Sequence, residues 1–139
     1  MKLKIKKLHE DAVVPSFAHT YDAGMDLFSI EEVIVKVGEQ IKIKTGLAFE
    51  IEDGYVGLFW DKSSVGSKGL KTLAGVIDSG YRGEVMIVLR NLSNEDYTFK
   101  KGDKVAQMLI QKVEQPEIEV VEVLSETTRG EGGFGSTGK

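Results

Sequence analysis

The chain of 139 residues is long enough for one domain with its own core and too short for two of ordinary size. Eighteen lysines and arginines against 22 acids give a net charge of −4, which speaks against general nucleic-acid binding, since that needs a basic excess to neutralise phosphates. No cysteine and only two histidines exclude disulfides, thiolate catalysis, cysteine-ligated zinc and a histidine-rich metal site.

The first stretch, Met1-Lys-Leu-Lys-Ile-Lys-Lys-Leu8, gathers no apolar run of the length that a signal peptide or membrane span needs. A soluble, cytoplasmic protein with no membrane partner is expected. Within that stretch Leu3 and Ile5 alternate with Lys2, Lys4 and Lys6, the period of a half-buried strand. Ala23-Gly-Met-Asp-Leu27 places a carboxylate, Asp26, in a short apolar run, where surface exposure is the default reading. Glu32 to Val37 is β-branched and ends at Gly38. Ile41 and Ile43 alternate with Lys42 and Lys44, and Leu47, Phe49 and Ile51 continue the pattern past Gly46. Tyr55 to Trp60 follows the turn signal Asp53-Gly54.

Trp60-Asp-Lys-Ser-Ser-Val-Gly66 then sets a cation and two hydroxyls at a strand end. Asp61 or Ser63 could cap a helical turn within 61–70, the only place where a helix fits. Lys62 with nearby backbone N–H groups could cradle an anion, and a plain polar turn is the equal alternative. Gly75-Val-Ile-Asp-Ser-Gly-Tyr-Arg-Gly-Glu84 reads as a hairpin bearing Asp78, either a general base or a turn aspartate binding local amides. Glu84 to Arg90 is a more buried strand, and Tyr97 and Phe99 form another. The charged turn Lys101-Gly-Asp-Lys104 leads into Val105 to Ile110, where Gln107 among apolar neighbours needs polar partners. Ile118 to Val123 closes the set. Asn91-Leu-Ser93 matches a glycosylation sequon without secretory context, and both histidines lie outside every motif.

About nine or ten strands with recurring turn signals and no long helical pattern predict an all-β fold. Residues 1–124 form the predicted body, and 125–139 a separate glycine-rich tail, mobile when alone. Gly133-Phe-Gly135-Ser-Thr-Gly138 fits G-x-G-x-x-G and, with Lys139, part of a Walker A loop. Neither motif works here, because no helix follows to aim its amides at a phosphate. A glycine-rich backbone with Arg129, Ser136 and Thr137 can still wrap a polyphosphate; a passive disordered end is the alternative.

The set and order of these segments carry more than any one of them. Ala23–Leu27, Asp61–Ser64, Gly75–Gly83, Gly102–Gln107 and Arg129–Gly138 resemble the five motifs of the trimeric deoxyuridine triphosphate nucleotidohydrolases (dUTPases), in the family's order and spacing. The resemblance implies a jelly-roll-like β-barrel subunit in a homotrimer, with active sites at subunit interfaces. It further implies Mg²⁺-assisted hydrolysis of dUTP to dUMP and pyrophosphate, which limits uracil in DNA and supplies dUMP for dTMP synthesis. By the same resemblance Asp78 activates the water that attacks the α-phosphorus, and Tyr81 lies beneath the deoxyribose. The hairpin from Thr72 through Val76 and Ile77, with Met86 opposite, would hold uracil. Lys62, Ser63, Ser64 and Gln107 would hold phosphate oxygens, and Asp26 would sit near the metal through water. Arg129 would reach the γ-phosphate, Phe134 would stack on the base, and Gly135, Ser136 and Thr137 would complete a lid.

Some positions depart from the family pattern. Lys62 stands where arginine is usual, Asp61 where proline is usual, Gly80 where an acid is frequent, and Thr72 where many members carry asparagine. Lysine keeps the charge and loses the bidentate fork. Two other readings fare worse. A related deoxycytidine triphosphate deaminase needs a glutamate where this chain has Val88, and a non-catalytic trimer has no use for Asp78 and the tail.

Overall fold

Strands dominate because apolar side chains recur at every second position, so each strand turns one face to the core and the other to water. The computed structural model describes residues 1–135. In chain order these hold β1 (Lys4–Lys7), β2 (Met25–Phe28), β3 (Val33–Val35), β4 (Gln40–Lys44), β5 (Leu47–Glu50) and β6 (Tyr55–Asp61). There follow α1 (Ser63–Gly66), β7 (Leu70–Leu73), β8 (Val76–Ile77), β9 (Met86–Asn91), β10 (Tyr97–Phe99) and β11 (Lys104–Lys112). The expected all-β architecture with a single short helix is therefore present. The strands form four antiparallel sheets ordered β1-β5, β10-β3, β2-β11-β6-β8 and β4-β9-β7, and among the described residues these do not join into one closed hydrogen-bonded barrel.

The core lies between the sheets and is built from Leu27, Val35, Ile43, Leu47, Phe49, Phe59, Leu70, Ile87, Leu89, Phe99 and Met108, all buried. Alternation in β9 shows how the pattern works. Ile87, Leu89 and Asn91 point inward, which leaves Met86 and Val88 on the outer face. Asn91 is fully buried, donating to the Val35 and Glu95 carbonyls at 2.9 and 2.7 Å and accepting from Ser93. The sequon asparagine is thus a structural brace for the turn into β10.

Three sequence expectations need correction. Ile118 to Val123 forms no strand: Ile118 and Val120 stand 87% and 93% exposed, because a strand needs a partner's N–H and C=O groups and none is offered among the described residues. Asp26 is not at the surface but 4% exposed. Neither Asp61 nor Ser63 caps α1; its N-cap is Lys62, with no side-chain hydrogen bond. Residues 125–135 carry turns only, such as Gly130 N–H to the Thr127 carbonyl at 3.1 Å.

Candidate active site

The longest strand, β11, pairs with β2 on one side and β6 on the other, bringing three sequence-distant segments side by side. In the ladders Gln107 lies opposite Asp26 and Trp60. Its Nε2 donates to the Asp61 carbonyl at 3.0 Å, which supplies the partner that a glutamine among apolar residues requires. Gly24 packs directly beside it: a Cβ there would run into the Gln107 side-chain oxygen and make that side chain shift.

Asp26 forms the centre of this end of the site. Lys62 Nζ donates to its Oδ1 at 2.6 Å, and Lys104 Nζ lies 2.7 Å from Oδ2 as an ion pair without hydrogen-bond alignment. Burial works to raise the Asp26 pKa, but the Lys104 and Lys62 ammoniums outweigh it and hold the carboxyl below its ordinary range. Two cations on one buried anion make a site of net positive charge, open at Lys104, whose side chain is 44% exposed. Ser63 and Ser64 are exposed in the first turn of α1, just beyond Lys62.

Lys104 is the residue that sequence reasoning missed. Between Lys104 and Ala106 the register against β2 shifts by a bulge, so Val105 and Ala106 are both buried and simple alternation does not tell where Lys104 points.

The second group surrounds a cavity of about 270 Å³ lined by Lys42, Val76, Ile77, Asp78, Tyr81, Glu84, Val85, Met86 and Val88. The turn that carries Asp78 is closed by its own backbone and side chains. Tyr81 N–H donates to the Asp78 carbonyl at 3.1 Å, and the Tyr81 hydroxyl to the Glu84 carbonyl at 3.0 Å. Arg82 braces the same turn by donating to the Ser79 and Tyr81 carbonyls at 2.5 and 3.0 Å. Asp78 is exposed and also borders a larger hollow of about 770 Å³ on its other side, with Tyr55, Ser79, Gly80 and Gln115 among its walls. Val88 sits in the smaller cavity's wall.

Among the predicted site residues, Val76, Ile77, Asp78, Tyr81 and Met86 thus come together, and so do Asp26, Lys62 and Gln107. The cavity's lining includes none of Asp26, Lys62 and Gln107. Thr72 joins neither: it is buried, and its N–H and hydroxyl both donate to Asp61 Oδ1 at 2.7 Å. Arg129 donates to the Gly132 carbonyl at 2.9 Å, and Phe134 is fully exposed with φ +50°, beside Gly135 at φ +88°. Neither lines the cavity. Ser136 and Thr137 lie outside the described residues.

A divalent metal finds only limited purchase here. Among the described residues no three His, Cys, Asp or Glu side chains are grouped to hold one, and the Asp26 carboxylate already faces two ammoniums. Mg²⁺ keeps several waters and binds largely through substrate phosphates. Magnesium carried on substrate phosphates would suit this donor set better than an ion caged by protein carboxylates.

Similarity to known proteins agrees with this arrangement. The dUTPase family model matches residues 10–138. The chain is 52% identical over 142 residues to the deoxyuridine 5'-triphosphate nucleotidohydrolase of Nautilia profundicola, covering 100% of both. Against the protein of the same name from Clostridioides difficile it is 45% identical, covering 98% of this chain and 97% of the relative. The Staphylococcus bacteriophage 80alpha dUTPase solved with dUpNHpp superposes with a TM-score of 0.94 at 34% identity, covering 99% of each chain. With the motifs in order along the sequence, their residues gathered on one fold, and close relatives matching end to end, this chain belongs to the dUTPase family.

Proposed function

We propose that the chain hydrolyses dUTP to dUMP and pyrophosphate as a homotrimer, a nucleotide-specific hydrolase with no nucleic-acid or membrane partner. The reading rests chiefly on Val76, Ile77, Asp78, Tyr81 and Met86 meeting around one cavity in a member of this family. In the step, a water oxygen bonds to the α-phosphorus while the bond from that phosphorus to the bridging oxygen breaks. Pyrophosphate leaves with the electron pair, and the water's proton passes to Asp78, a general base exposed at the cavity rim.

The rest of the machinery follows from chemistry. Uracil presents a donor flanked by two acceptors, which the open backbone of β8 can match while Met86 closes the opposite side. A narrow hairpin would reject thymine by the bulk of its methyl, and cytosine by its reversed donor pattern, since a hydrogen-bonding site discriminates more strongly than an apolar one. Tyr81, held by its bond to the Glu84 carbonyl, would lie beneath the sugar and leave no room for a 2′-hydroxyl. Lys62, Lys104, Gln107 and the Ser63 and Ser64 groups would hold the phosphate oxygens against their mutual repulsion. Magnesium, bound to those phosphates and to Asp26 through water, would neutralise further charge.

A homotrimer is the assembly typical of the family to which the chain belongs, and a second copy would add walls to a cavity that is shallow and open within one chain. The exposed Ile118, Val120, Val123 and Leu124 likewise need cover from another subunit. On this reading residues 1–124 are the nucleotide-binding body and 125–139 a lid that brings Arg129, Phe134, Gly135, Ser136 and Thr137 over the substrate. Among the described residues no helix is long and apolar enough to cross a membrane, in keeping with a cytoplasmic enzyme that limits uracil in DNA and supplies dUMP for dTMP synthesis. Pyrophosphate release measured with dUTP, dCTP, dTTP and UTP side by side tests the proposal. Turnover of dUTP alone is expected, whereas equal turnover of all four, or none, refutes it.

A further inference from the structure

Asp61 ends β6 and directly precedes Lys62, yet its carboxylate is spent on β7. Oδ1 accepts both the N–H and the hydroxyl of Thr72 at 2.7 Å, and Oδ2 pairs with Lys71. β7 is an edge strand, bonded to β9 on one side only, so a Thr72 amide facing away from β9 has no strand to receive it. The Asp61 carboxylate takes the place of that missing strand. Meanwhile the main-chain oxygen of the same residue holds Gln107. Burial tends to raise the Asp61 pKa, but Lys71 and the two Thr72 donors overcome this and keep it below the ordinary range.

From Thr72 the chain passes through Ala74 and Gly75 to β8 and Asp78. Gly75 is pinned by its carbonyl, which accepts from Phe59 N–H at 2.7 Å. Between the two pins Ala74 sits at φ +52°, a left-handed conformation that a non-glycine residue keeps only when its surroundings enforce it. Without the Asp61 pin, the constraint on Ala74 from the β7 side is weakened, and the approach to Asp78 is left to the Gly75 carbonyl and the pairing of β8 with β6.

We propose that Asp61 is a positioning residue for hydrolysis, one residue at the end of β6, next to Lys62, whose carboxylate ties down the strand leading into the Asp78 hairpin while its carbonyl holds Gln107 of β11. The inference rests on the dUTP reading above. Loss of that tie misplaces the general base, and small misplacements of a reacting group cost rate steeply.

The test is steady-state kinetics with dUTP on the full chain, with melting temperature and oligomer mass recorded for each variant. Asp61→Ala is expected to lower kcat about tenfold or more, with KM changing less. Asp61→Asn, which keeps an oxygen in place for Thr72, is expected to recover most of kcat. Should Asp61→Ala not fold, Asp61→Glu keeps the charge while moving the oxygens by one methylene, and a fall in kcat at an unchanged melting temperature is expected. A folded Asp61→Ala or Asp61→Glu protein with wild-type kcat overturns the inference, as does an Asn variant no better than Ala. Absence of pyrophosphate release by the wild type overturns the functional reading and this inference together, whereas an active wild type with an equally active Asp61→Ala overturns this one alone.

Discussion

Replacing Asp26 with asparagine probes the electrostatic centre of the phosphate end. The side chain is 4% exposed and faces two ammoniums, Lys62 at 2.6 Å and Lys104 at 2.7 Å. Removing the anion leaves Lys62, 26% exposed, short of water and without its counter-charge. Breaking a buried pair costs about 3–5 kcal/mol, whereas exposed pairs contribute about 0–1 kcal/mol. With one half-buried and one half-exposed lysine, a loss of about 2–4 kcal/mol follows for Asp26→Asn. For a chain of this size that is roughly 6–16 °C in melting temperature. Thermal melts at one fixed protomer concentration measure it, because assembly makes the midpoint concentration-dependent. The pH dependence has a definite sign. The folded-state pKa lies below the ordinary value of 3.8, so the carboxylate's contribution is fully present well above about pH 4 and is lost as pH falls from there through the folded value. The gap between wild type and variant should be widest near neutrality and close in acid. A variant that melts with the wild type at neutral pH, or a gap that persists unchanged in acid, refutes this account.

Asp78→Asn should retain nucleotide affinity while kcat falls about 10²–10⁴-fold, as for loss of a general base; isothermal titration with a non-hydrolysable dUTP analogue and pyrophosphate release measure the two. Near-normal turnover would remove Asp78 from that role. Deletion of residues 129–139 should leave the oligomer mass and melting temperature intact and abolish most activity, since the described part of that segment packs on neither cavity. Full activity would make it a passive end. Gly24→Ala drives a methyl into the Gln107 side-chain oxygen and displaces that side chain, which should raise KM for dUTP while the urea midpoint changes little; an unaltered KM would show that Gln107 does not hold the substrate.

Much of this molecule is local and therefore legible along the chain. Period-two alternation marks β4, β9 and most of β11, because side chains on successive residues must leave opposite faces of a strand. The absence of a long amphipathic stretch leaves room for one short helix, found at Ser63–Gly66. The segment around Asp78 announces itself by its glycines and its carboxylate, and its residues do line one cavity.

What depends on distant partners is not written in that way. Asp26 looks like a surface acid by its neighbours, and only the pairing of β2 with β11 buries it beneath Lys62 and Lys104. The bulge at Val105 resets the alternation, and this decides that Lys104 stands over Asp26. Asp61 has the local chemistry of a helix cap, but the unpaired edge of β7 competes for it and wins with two hydrogen bonds from Thr72. Ile118 to Val123 carries the residues of a strand without a neighbour to complete one. Sequence alone determines the strand rhythm, the class of fold and the kinds of reactive group, since each arises from residues adjacent in the chain. Tertiary structure alone decides which groups meet and which charges are buried, since hydrogen-bond register and desolvation are set by segments that touch only after folding.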